Sequence, residues 1–194
     1  MRDNPPCNAD RFLALLKPLE RDLEVYCRRL IWEPQDAVDA IQNTMLRAFA
    51  AFDRYREDAS FRAWMFRIMT NEVFALNRRH ARIARHEFQI EPEELDELGP
   101  SGPACPSDVG DMESEALMEA LDQNLVIALK TLTDLERAVL LLRAIGGFRY
   151  HEIATSMDIP LGSVMGYLAR ARQKMRRAIA RSTPDTYLPR KELP

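Results

Sequence analysis

The chain has 194 residues, of which 46% are hydrophobic and 29% charged, with seven glycines and a formal net charge of -3. That composition suits one large or two small helix-leaning soluble domains, and apolar runs of about five residues, such as Ala138 to Leu142, fall far short of the ~18 that a membrane span needs. The three cysteines, Cys7, Cys27 and Cys105, form no CxxC pair, so neither a disulfide framework nor a zinc site is expected, and the polar start MRDNPPCNADRF is no secretion signal.

In chain order, Phe12, Leu15, Leu16, Leu19, Leu23, Tyr26, Cys27 and Leu30 recur at helical spacing. Pro18 interrupts them and predicts a kink, or two consecutive helices with Pro18 in a first turn. Val38, Ile41, Met45, Ala48, Phe49 and Phe52 predict a second amphipathic helix, with Asp36, Asp39, Gln42, Asn43 and Arg47 on its polar side. A turn at DRYREDAS leads to the apolar segment FRAWMFRIM, and a basic helix ends at NRRHARIARH.

Charge then changes sharply. Residues 87–122 hold twelve of the thirty acidic residues and no Lys or Arg, and GPSGPACPSDVGD (99–111) carries three Pro and three Gly. This stretch predicts a flexible acidic linker between two mildly basic blocks, which suggests contact of the blocks with a polyanion.

The second block opens with a helix around 113–130, from Leu117, Leu121, Leu125 and Leu129. Thr133 and Glu136 form a capping box that starts a helix ending at Gly146-Gly147. Tyr150 to Met157 is a short helix closed by Asp158-Ile159-Pro160, and Ser163 is the expected N-cap of a last helix reaching about Arg181. At about 100° per residue, Val164, Leu168, Ala171 and Met175 share the inner side. Met165, Gly166, Ala169, Arg170 and Gln173 lie roughly opposite. Arg170, Arg172, Lys174, Arg176, Arg177 and Arg181 are accompanied by no acid. A tight turn followed by a basic helix is a helix-turn-helix pattern, with Arg170 placed for a base edge and the later cations for phosphates.

LERAVLLLRAIGGFRYHEIATSMDIPLGSVMGYLARARQKMRRAI resembles region 4 of the extracytoplasmic-function (ECF) sigma factors of the sigma-70 family, through Tyr150, Glu152-Ile153-Ala154, Ile159-Pro160, Gly162-Ser163-Val164 and Arg170-Ala171-Arg172. DAVDAIQNTMLRAFAAFDRY and FRAWMFRIMTNEVFALNRR resemble region 2, in the right order and at the right separation. The resemblance implies an all-α chain: a region 2 domain over 1–86, the acidic linker over 87–112, a region 4 helix-turn-helix domain over 113–182 and a tail over 183–194.

It also implies site residues. Asp36, Asp39, Gln42 and Asn43 would meet core RNA polymerase. Phe61, Trp64, Arg67 and Asn71 would meet the −10 promoter element, Asn71 from a loop that holds a flipped base, with Arg78, Arg79, Arg82 and Arg85 on neighbouring phosphates. Ser163, Met165, Gly166, Tyr167, Arg170, Gln173, Lys174 and Arg177 would meet the −35 element. The implied partners are core polymerase, promoter DNA and an anti-sigma protein. The implied location is cytoplasmic without membrane insertion, and no metal, cofactor or catalytic residue is expected. His80 and His86 lie in a basic helix, where phosphate contact or solvent is the expected surrounding. The competing reading is a stand-alone helix-turn-helix regulator, which leaves the region 2 resemblance without a purpose.

Overall fold

The computed structural model describes residues 8–55, 60–88 and 123–182, and among these every regular element is helical. The linker, the start of the helix expected around 113–130, the tail, Cys7, Cys105 and part of the DRYREDAS turn lie outside the described residues. The side chains of Arg85 and His86 do too.

The first bundle begins with α1 (Asn8–Leu16) and α2 (Glu20–Leu30), joined by a 3-10 turn with Pro18 at its start. Pro18 thus divides two consecutive helices as expected, because its ring fixes φ and removes a donor where no helical donor is needed. Helix α3 (Ala37–Ala51) packs on α2 and α4. Its buried line is Ala37, Ala40, Thr44 and Ala48; of the expected set, Ala48 and Phe52 are buried, Ile41 and Met45 pack half-buried against the core, and Val38 and Phe49 are exposed. Small alanines let the helix backbones approach closely, and Thr44 satisfies its buried hydroxyl by donating to the Ala40 carbonyl at 2.7 Å. Val38, Leu46 and Phe49 are left on the surface.

FRAWMFRIM and the basic stretch after it form one uninterrupted helix, α4 (Phe61–Phe88), since no Gly or Pro occurs between them to end it. Phe61 joins Phe12, Phe52 and Tyr55 in an edge-to-face aromatic cluster with centroids 5.2–6.1 Å apart. Deeper in, Tyr26 donates to Thr70 at 2.7 Å, because the only Thr70 hydrogen goes to the Phe66 carbonyl. Burial pushes the neighbouring Cys27 thiol up to about 12, so it stays protonated and unreactive at neutral pH.

The second bundle comprises α5 (123–130), α6 (Asp134–Ala144), α7 (Tyr150–Met157) and α8 (Leu161–Ser182). The capping box forms as expected: the Thr133 hydroxyl accepts from the Glu136 amide, and the Glu136 carboxylate accepts from the Thr133 amide at 3.1 Å. Helix α6 stops before Gly147, whose φ of 70° suits glycine, and α7 ends on Asp158 in the left-handed region at φ 55°. Helix α8 starts three residues earlier than an N-cap at Ser163 would place it. The Pro160 carbonyl takes the amides of Ser163 and Val164, so Ser163 sits inside the first turn and is not the N-cap.

The two bundles pack on each other through α2 against α6 and α4 against α7. Arg62 on α4 donates to Asp22 (2.7 Å) and to the Gly146 (2.8 Å) and Ile145 (3.1 Å) carbonyls, with its guanidinium against the Phe66 and Phe148 rings. Arg137, buried on α6, donates to the carbonyls of Leu129, Leu132 and, across the joint, Leu30. Asp134 accepts from the Trp32 indole at 2.8 Å and from Asn77 at 3.1 Å.

Two glycines give opposite stability predictions. A Cβ at Gly146 meets the Leu142 carbonyl and the Phe148 ring at 2.5 Å, so Gly146→Ala should destabilise by about 1–3 kcal/mol. At Gly166, in mid-helix, it meets only the Arg170 guanidinium at 3.5 Å, and Gly166→Ala should stabilise by about 0.5–1 kcal/mol. Urea unfolding of the two variants against the parent checks both signs.

Candidate nucleic-acid interface

Helix α8 carries the first candidate surface. Val164, Leu168 and Ala171 are buried against α6 and α7, which turns Met165, Ala169, Arg170, Arg172, Gln173, Arg176 and Arg177 to the outside. Gly166 and Tyr167 are half-buried beside them, as is Ser163. The Arg170 guanidinium lies 4.9 Å over the Tyr167 ring, and its Nε is 3.4 Å from Glu136 Oε1. Those contacts use Nε and the π face, leaving the two Nη nitrogens for a base edge. Lys174, expected to be available to DNA, is instead bonded to Glu136 Oε2 at 2.8 Å.

Burial alone would raise the Glu136 pKa. The hydrogen bonds from Lys174 and from the Thr133 backbone and hydroxyl, with the Lys174 charge, outweigh it and hold the carboxyl below its ordinary 4.5.

Helix α4 carries the second surface. Arg67, Asn71, Ala75, Arg78 and Arg82 recur every three or four residues and are all exposed, with Arg79 beside them and the half-buried Trp64 at the near end. From Trp64 to Arg82 this stripe is about 27 Å long. Asn71 is placed on the middle of a helix, not in a loop and not at a helix start, because α4 runs straight through it. Its exposed amide keeps both a donor and an acceptor. Phe61 is buried at 7% exposure and has no free face for a base, whereas Trp64 packs on Tyr55 and Phe61 at 5.3 and 5.6 Å and keeps part of its ring open.

The third surface is the outer side of α3. Asp39, Gln42 and Asn43 are exposed on it together with Val38, Leu46 and Phe49, a mixed polar and apolar face. Asp36 does not join them. It bonds His80 Nε2 at 2.5 Å, which gives the half-buried His80 a carboxylate partner.

Sequence reading missed the wider partners of Glu136, found only as a cap, and missed Arg62, Asn77 and Arg137 altogether. Spacing carries no trace of the long-range contacts among these, from Arg170 with Glu136, 34 residues apart, to Arg137 with Leu30, 107 apart. Among the described residues no group of three or more His, Cys, Asp or Glu could hold a metal ion, and no helix is long and apolar enough to cross a membrane.

Comparison with known proteins supplies the context for these surfaces. Family models match twice: Sigma-70 region 2 over residues 15–83, and Sigma-70, region 4 over residues 122–175. The ECF RNA polymerase sigma-E factor of Salmonella typhimurium is 31% identical over 142 residues, covering 71% of each chain. The chain belongs to the ECF sigma factors of the sigma-70 family. The ECF RNA polymerase sigma factor SigG of Mycobacterium tuberculosis is 33% identical over 181 residues, and this chain spans about half of it (47%). Among solved structures, the sigma factor RpoE in complex with the anti-sigma factor NepR from Bartonella quintana matches with a TM-score of 0.68 at 21% identity, covering 88% of this chain and 97% of that one. CnrH in complex with the cytosolic domain of CnrY matches at 0.61 and 24%, covering 89% of each chain. At such identities these two likenesses speak for the fold alone. The α1–α4 bundle is thus the region 2 fold, and α5–α8 the region 4 fold.

The carboxylate at the base of α8 sets a pH limb. The folded-state pKa of Glu136 is depressed, so its stabilising contribution is fully present above the ordinary value of 4.5 and fades as pH falls through the folded one. The stability gap between the parent and Glu136→Gln should therefore be widest from about pH 6 upward and should close in acid. Urea midpoints measured across that range check it.

Proposed function

We propose that this chain lends core RNA polymerase its promoter specificity, with region 2 (1–86) at the −10 element and region 4 (113–182) at the −35 element, tethered by 87–112. The observation that carries this reading is the pairing of two separate outward basic helices, α4 and α8, with the order of the region 2 and region 4 matches. Asn71 and Trp64 would contact an unstacked −10 base, and Arg67, Arg78 and Arg79 the adjacent phosphates. The outer face of α3 would dock on polymerase. Its exposed Val38, Leu46 and Phe49 supply the apolar area that such a contact needs, around Asp39, Gln42 and Asn43.

A stand-alone regulator would have no use for that α3 face. The reading makes the chain a non-enzymatic cytoplasmic factor, alternative in the sense of serving a subset of promoters. Control by an anti-sigma protein fits the complex of RpoE with the anti-sigma factor NepR, which shares the fold.

The docked arrangement bears on mechanism. Promoter elements 25 base pairs apart lie about 85 Å apart along the duplex. A compact body of 194 residues has a radius of gyration of only about 16 Å. Both elements can be held at once only if the bundles part, which breaks the Arg62 bridge.

Reversing the charge of Asp39 together with Gln42→Ala should lower core polymerase affinity at least several-fold without changing unfolding, as measured by fluorescence titration. Equal affinity would remove α3 from the interface. At the −35 element, Arg170→Ala should change which bases are preferred, with each lost base contact worth about 1–3 kcal/mol. Arg176→Ala with Arg177→Ala should instead weaken all promoters alike and lower the slope of log affinity against log salt by about 0.9 per lost phosphate contact. Competition binding of the polymerase complex to substituted promoters at several salt concentrations separates the two.

A further inference from the structure

Glu136 is an acidic side chain ion-paired to helix α8, and it is 3% exposed. Its two oxygens divide three tasks. Oε2 accepts from the Thr133 amide at 3.1 Å and from Lys174 Nζ at 2.8 Å, and Oε1 lies 3.4 Å from Arg170 Nε. The start of α6 and two cations four residues apart on α8 therefore meet at one carboxylate.

The consequences for the two cations differ. Arg170 keeps its Nη pair, and its guanidinium is held between Glu136 and the Tyr167 ring. A long side chain restrained in this way has less rotamer freedom left to lose when it meets a base edge. Lys174 is a point charge whose close partner is already present. Moving it to a phosphate would strip a buried carboxylate of its nearest cation, and an uncompensated buried charge is strongly unfavourable. Its charge is thus largely spent within the protein.

We propose that Glu136 is a positioning residue for promoter recognition: it holds Arg170 ready for a base edge and withholds Lys174 from the phosphate backbone. Base selectivity gains at the expense of indiscriminate affinity. The proposal rests on reading α8 as the −35 helix, although its Lys174 half concerns any duplex.

Glu136→Gln isolates the charge, because a glutamine at this position still completes the capping box. The full-length parent and variant are bound to core polymerase and titrated with promoters substituted through the −35 element. Each protein alone is also titrated with a non-promoter duplex over a range of salt. In the variant, the slope of log affinity against log salt should steepen by about 0.9 as Lys174 becomes available. Adding Lys174→Ala to it should return the slope to the parent value. Discrimination at the base under Arg170 should fall by roughly fivefold or more, the low end of what one base contact supplies.

Lys174→Ala in the parent background should leave the slope unchanged, and this measurement does not depend on the Glu136 variant folding. A parent slope that drops by about 0.9 on Lys174→Ala would show that the lysine already grips phosphate and would overturn the proposal. A Glu136→Gln protein with lower thermal stability but unchanged slope and base preference would also overturn it, leaving Glu136 as a cap alone. If the parent complex shows no −35 preference at all, the promoter reading fails. The duplex slopes then still decide whether Glu136 withholds Lys174.

Discussion

The joint between the two bundles turns on the Arg62 guanidinium. It bonds Asp22 on α2 and the two carbonyls just past the end of α6, while its faces meet Phe66 and Phe148. The last carbonyls of a helix have no partner of their own, so a cation placed there satisfies them and the C-terminal end of the helix dipole together. Phe66 and Phe148 then close edge-to-face at 5.3 Å, and the Phe148 ring together with the Leu142 carbonyl leaves no room for a Cβ at Gly146. Arg137 does the same for the α5–α6 turn and the end of α2 through carbonyls alone. Burial lowers its pKa, but a guanidinium is so basic that it stays charged.

The joint combines these charged and amide groups with apolar contact. Each donor and acceptor of the joint can be handed to water, but the buried hydrophobic cluster runs from one bundle into the other, so separating them also exposes apolar side chains. The aromatic cluster around Phe61 and the inner face of α8 lie within their own bundles. The basic stripe of α4, the mixed face of α3 and the outer face of α8 all remain exposed while the bundles are docked. What docking restrains is the distance between them.

Local rules were enough wherever a local cause decided the outcome. Pro18, the Thr133–Glu136 box, Gly147 and the inner line of α8 stand where spacing put them, because φ restriction, end-group bonding and helical period act within a few residues. The errors have a common origin in packing across the chain. Val38 and Phe49 outrank Ala37 and Ala40 in hydrophobicity, yet close helix approach selects the alanines for the inside. Phe61 belonged to the core because Phe12 and Phe52 come to meet it. Asn71 lies within a helix that simply has no stop signal. Asp36, read as part of a docking face, is taken by His80 from 44 residues away. The family resemblance identified the helices that matter, and the geometry redistributed roles among their residues.

The account stands most directly on run-off transcription from a promoter library, using the purified chain and core RNA polymerase. It predicts discrete start sites whose use depends on sequence at both the −10 and −35 positions, and weak, unselective DNA binding by the chain alone. Tight site-specific binding by the chain alone, with no new start sites when core polymerase is added, would contradict it.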